Sequence, residues 1–185
     1  RGGAETLGIE HVTRLAGRGV LLDIAGAKRL ERLPDAHEVT GADLDEAAEW
    51  GKVTPRSGDI VLIRTGRMQL YLSGGAQPYT LGESGTAESP GPGIDAARWF
   101  HRHDVAAAAT DTYMFEVFPG AEWDNVLGVH CLDVVEMGLT QGQNFHLEEL
   151  AGVCAEAGRH EFLLVANPEP FRGATGAPVS PLAIF

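Results

Sequence analysis

The chain has 185 residues, 44% hydrophobic and 22% charged. A folded chain of this length hides about 70% of its unfolded surface, so one domain can form without disulfide or metal staples. Its 14 Lys and Arg against 26 Asp and Glu give a formal charge of −12, a field that repels phosphate backbones and anionic lipid and argues against nucleic acid or a membrane surface as partner.

The opening Arg1-Gly2-Gly3 lacks an initiating Met and carries no strand or helix signal, so the chain is expected to be part of a longer polypeptide. Gly19 to Gly26 is a short aliphatic run bounded by glycines and reads as a buried strand. After a polar stretch around Pro34, Thr40 and Asp43 have the spacing of a capping box for a helix from about Ala42 to Trp50, with Gly51 placed to end it. Asp59 to Gly66 then holds Ile60-Val61-Leu62-Ile63 without alternation, the pattern of a central strand covered on both faces.

Residues 73–93 are crowded with Gly, Pro, Ser, Thr and Glu and read either as a functional lid or as a plain solvated insertion. A helix follows from Gly93 to about His103 with Ile94, Ala97 and Phe100 on one face. Asp104 to Thr110 is an alanine-rich strand whose faces must be closely packed, ending at Asp111. Pro119-Gly120 marks a turn, and 125–138 reads as helical. Leu147, Leu150, Ala151, Cys154 and Ala157 repeat at helical spacing up to Gly158, and Glu161 to Ala166 is a last buried strand before a Pro-rich tail. Strands alternating with helices predict an α/β layer architecture over a single domain, residues 1–185.

Reactive groups in such sheets collect at strand ends. The strand ending at Thr110 delivers Asp111-Thr112-Tyr113-Met114-Phe115-Glu116, two carboxylates held near a rigid element. His130, flanked by Val129 and Cys131, is a second candidate, with Gln143-Asn144 thirteen residues on; a helix leading from one to the other would bring both to one cavity. His101-Arg102-His103-Asp104 reads as a polar helix end, where imidazoles are favoured by the helix dipole. His11, His37, His146 and His160 have no partner at informative spacing. Cys131 and Cys154 fit no paired metal spacing and read as buried thiols in a reducing cytoplasm. Nucleotide-binding and nucleophilic-hydrolase signatures such as Gly-x-Ser-x-Gly and Walker A are missing, which leaves a sugar or nucleotide enzyme resting on the α/β pattern alone.

Several strings together resemble the metal-dependent cyclase family, which includes kynurenine formamidase and isatin hydrolase. They are Gly17 to Asp23, Gly58 to Gly66, Asp111-Thr112, Val129-His130, Asn144 to Leu150 and Gly176 to Pro181, and their order and spacing match over nearly the whole chain. The resemblance implies the family's swivelling β/β/α fold, here N-terminally truncated, in a homo-oligomer. It also implies hydrolysis of a small amide, formamide or lactam with Zn or Mn. The family's His-x-Gly-Thr-His-x-Asp-x-Pro-x-His metal motif has no counterpart in this sequence, so the general-base His is expected outside it and the fragment alone is expected to be inactive.

His130 matches a family metal ligand, and Gln143 falls where a Glu ligand often stands. A neutral amide is a weaker ligand for a dication, which favours one metal ion over two. Asp111 and Glu116 lie in a region the family places near the pocket. Phe115, Phe118 and Trp123 read as walls for an aryl substrate or as core. The missing motif and Gln143 also support a second reading, a non-catalytic small-molecule-binding or oligomer-forming protein on the same scaffold.

Overall fold

A computed structural model of the chain describes residues 3–120 and 127–185. After a 3-10 turn at Ile9–His11, the elements in chain order are β1 (Ala16–Asp23), α1 (Ile24–Ala27), β2 (Glu38–Val39), α2 (Gly41–Trp50), β3 (Ile60–Arg64), α3 (Met68–Gly74), α4 (Ala76–Leu81) and β4 (Gly91–Pro92). Then come α5 (Ile94–Arg102), β5 (Ala107–Thr110), α6 (Gly128–His130), a π-helical segment (Cys131–Glu136), β6 (Thr140–Gly142), α7 (Glu148–Ala157), β7 (Glu161–Val165) and β8 (Leu182–Ile184).

Six strands form one sheet in the order β6-β5-β3-β1-β7-β8. The first four are parallel and the β1-β7-β8 side is antiparallel, giving the α/β fold expected from the sequence. Because strand side chains alternate, each central strand feeds two cores. Val20, Leu22, Val61, Ile63 and Ala108 pack on one side with Leu44, Ala47, Trp99, Phe100 and Phe115. Leu21, Ile60, Leu62, Ala107 and Ala109 pack on the other with Phe145, Leu147, Cys154, Phe162 and Leu164. The unbroken apolar run of β3 thus reflects cover on both faces.

The capping box forms as the spacing predicts. Thr40 Oγ1 accepts from the Asp43 amide at 3.2 Å while Asp43 Oδ2 accepts from the Thr40 amide at 2.8 Å. Gly51 ends α2 for a different reason than a left-handed turn: its φ is −75°, and a Cβ there would meet the His160 ring 3.0 Å away. Gly158 does take the left-handed cap, at φ 61°.

Three expectations are corrected. Of the two readings of residues 73–93, lid or plain insertion, the plain insertion gives way, since α3 and α4 enter the segment and the fully buried Arg67 ties it down. Arg67 donates to the carbonyls of Tyr79 and Glu88 at 2.8 and 2.9 Å and to Asp35. Ile94 is 37% exposed while Ala96, Ala97, Trp99 and Phe100 are buried, so α5 is rotated from the expected face. Cys131, the first residue of the π-helical segment, is exposed; Cys154 is buried, with its thiol pushed up to about 11 by loss of solvent.

Removing the Thr40 hydroxyl leaves one amide at the start of α2 without its acceptor. Thr40→Ala is expected to cost about 1 kcal/mol, seen as a lower urea midpoint with an unchanged slope.

Candidate functional site

The chemistry-bearing residues gather where β5 and β6 end. Asp111 follows β5 directly and is fully buried. Its Oδ1 accepts from the Thr65 amide at 2.9 Å and the Thr65 hydroxyl at 2.7 Å, and its Oδ2 accepts from the Gly66 amide at 2.8 Å. Burial pushes its pKa up to about 6, while the Thr65 and Gly66 donors pull against that by favouring the anion. Both oxygens are committed to holding the end of β3 against the end of β5. Asp111 forms no hydrogen bond with Glu116, His130 or Gln143.

Glu116 is 3% exposed and faces the start of α6. Its two oxygens accept from the amides of Val129 and His130, each at 3.0 Å, and it also pairs with His130 Nδ1. A carboxylate suits this position because a helix start leaves its first N–H groups without partners. With Nδ1 engaged by Glu116, Nε2 is the His130 ring nitrogen left for another partner. The Gln143 amide nitrogen lies 3.1 Å from it. His130 and Gln143, thirteen residues apart, are thus brought together, with Glu116 behind the imidazole and the Phe115 ring edge-on to it, centroids 6.2 Å apart.

Several neighbours were not read from the sequence. The Tyr79 hydroxyl lies 2.7 Å from Asn144 Oδ1 and 3.1 Å from the Asp111 carbonyl, joining α4 to the ends of β5 and β6. Burial raises the Tyr79 phenol above its usual range. Asp133 and Gln141 lie three and two residues along the chain from His130 and Gln143 and are bonded to each other, and a carboxylate inside the apolar run Cys131 to Val135 was the available signal for the first. Phe115 is core and Phe118 half-buried; Trp123 lies outside the described residues. His103 stacks on Trp99 with centroids 3.9 Å apart, as suits a helix end. A groove of about 380 Å³ lined by Glu31, Gln69, Leu72 and Glu148 opens elsewhere, near the end of β3.

The donor set bears on the metal the resemblance implies. Among the described residues no three His, Cys, Asp or Glu side chains converge as a metal site. His130 fits one ligand position, since a carboxylate on the other ring nitrogen is the usual support for a metal-binding imidazole. Gln143 fits a second only after its amide turns to present Oε1. The described residues therefore fit part of a coordination shell and do not complete it.

The Cyclase family model matches residues 3–117. No curated protein sequence matches the chain. Among solved structures, a cyclase crystal structure is 35% identical with a TM-score of 0.85, covering 100% of this chain and 59% of its own. Isatin hydrolase A from Labrenzia aggregata, bound to benzyl benzoate, is 21% identical with a TM-score of 0.70, covering 95% of this chain and 64% of its own. A structure described as a potential metal-dependent hydrolase with cyclase activity is 16% identical with a TM-score of 0.60, over 97% of this chain and 68% of its own. The chain spans less than two thirds of the length of the first two.

Asp111→Asn places an amide N–H against the Thr65 or Gly66 donors. It is expected to lower stability by about 1 to 3 kcal/mol in chemical denaturation, and an unchanged midpoint would show that the strand ends are held by something else.

Proposed function

The chain belongs to the cyclase family, and we propose that it supplies part of the active site of a metal-dependent hydrolase acting on the carbon–nitrogen bond of a small amide, formamide or lactam. The observation that carries this reading is the orientation of His130. Its Nδ1 is engaged by Glu116, its backbone amide is held by the same carboxylate, and Nε2 is presented toward Gln143. That arrangement fixes one tautomer and one ring direction, as ligation requires.

His130 through Nε2, and Gln143 through Oε1, would hold a single divalent ion, Zn or Mn, together with ligands from outside the described residues. Such an ion supplies polarisation of the scissile carbonyl and a more acidic water at neutral pH. The chain's own residues do the positioning. Glu116 orients the imidazole and satisfies two buried amides, and the Phe115 ring beside His130 keeps one flank of the imidazole apolar. Asp111 holds the two strand ends that frame the site.

A second reading, small-molecule binding or oligomer formation without catalysis, is favoured by the neutral Gln143 and by the incomplete donor set of the described residues. Titration of the 185-residue chain with Mn(II) or Zn(II), beside hydrolysis assays on isatin and an aryl formamide, separates the two. On the hydrolase reading the chain binds the ion weakly, turnover is undetectable, and Glu116→Gln lowers affinity about 10- to 100-fold. Binding indifferent to both His130→Ala and Glu116→Gln would remove His130 from the ligand set and favour the second reading.

A further inference from the structure

Beside His130 and Gln143 lies a second contact between the same two segments. His130 ends α6 and Asp133 lies three residues on in the π-helical stretch, while Gln141 is the middle residue of β6 and Gln143 follows the strand directly. The segments are bridged twice, His130 to Gln143 at 3.1 Å and Gln141 Nε2 to Asp133 Oδ2 at 2.9 Å. The backbone reinforces the second contact, because the Leu139 amide donates to the Asp133 carbonyl at 2.8 Å.

This second bridge is incomplete as an ion. Asp133 is fully buried, and its other oxygen, Oδ1, has no partner among the described residues; neither has Oε1 of Gln141. An ionised carboxylate only accepts, and a carboxamide set against it satisfies one oxygen and leaves its own oxygen facing an acceptor. Turning the Gln141 amide over moves the mismatch to Oδ2 without removing it. One proton resolves it.

We propose that Asp133 is a neutral carboxylic acid whose Oδ1–H donates to Gln141 Oε1 while Gln141 Nε2 donates to Oδ2, and that this doubly bonded pair is the positioning element setting Gln143 opposite His130. The bearing on Gln143 rests on the hydrolase reading; the pairing itself does not. Loss of solvent pushes the Asp133 carboxyl up to about 6, with the Gln141 donor pulling down, the facing Glu116 carboxylate pushing up and His130 pulling down. Asp133 makes no hydrogen bond to His130. A carboxyl raised on folding contributes stability that is complete below its unfolded value near 3.8 and is lost as pH rises through about 6.

The test compares the 185-residue wild-type chain with Asp133→Asn, which keeps both hydrogen bonds without a titratable proton. Between pH 4 and pH 7 the melting temperature of wild type is expected to fall by about 5 °C relative to the variant. A difference that is constant with pH overturns the proposal. A readout that needs only wild type is the Asp133 side-chain carboxyl carbon resonance, expected at its protonated position at pH 5; an ionised Asp133 at that pH overturns the pairing. Positioning is read from the His130 ring nitrogen shifts at fixed pH, which Asp133→Asn leaves in place and Gln141→Ala displaces. An undisturbed His130 in Gln141→Ala overturns the positioning role. None of these measurements involves a metal or turnover, so failure of the hydrolase reading leaves them unaffected.

Discussion

A sheet covered on both faces delivers its strand ends into the interior, and every backbone N–H that emerges there must find an acceptor away from water. In this protein the acceptors are buried carboxylates. Asp111 takes the amides of Thr65 and Gly66 where β3 ends, and Glu116 takes the amides of Val129 and His130 where α6 begins. The same two residues place an imidazole and a strand edge in one region. Satisfying the backbone and building the candidate site are therefore a single structural act. A substitution at either carboxylate disturbs both.

The double cover also decides what the sequence could disclose. Ile60 to Ile63 announces a central strand because every position is apolar, and the alanines of β5 announce close packing, with Ala108 on one core and Ala107 and Ala109 on the other. Short edge elements carry no such pattern. Thr140–Gly142 and Leu182–Ile184 are three residues each and join the sheet through backbone pairing to neighbours far away in the chain, which no local periodicity encodes. The order in 73–93 was hidden for a related reason: it depends on Arg67, whose three partners, Asp35, Tyr79 and Glu88, lie on both sides of it in sequence.

The residues of the candidate site can be named from the sequence, but the contacts each one makes cannot. A His in an apolar run and a pair of amides before a helix mark His130 and Gln143, but nothing in one dimension says that Glu116 reaches His130 or that Asp111 is spent on strand ends. Both carboxylates follow β5 closely and carry no sign in the sequence of different roles. What separates them is the donors each meets, and those come from residues 13 to 46 positions away.

The same count of donors separates two carboxyls that burial affects alike. Asp111 and Asp133 are each fully buried and each is pushed up to about 6 by the loss of water. Asp111 has three donors for its two oxygens, so the anion is solvated by the fold and a proton would break one of those contacts. Asp133 has one donor, and its second oxygen and the Gln141 amide oxygen are both buried without a partner, so on the proposed pairing the proton completes the contacts instead of breaking them. Desolvation sets how costly the charge is in both places. The geometry of the neighbours decides whether that cost is offset by hydrogen bonds, as at Asp111, or avoided by neutralisation, as at Asp133.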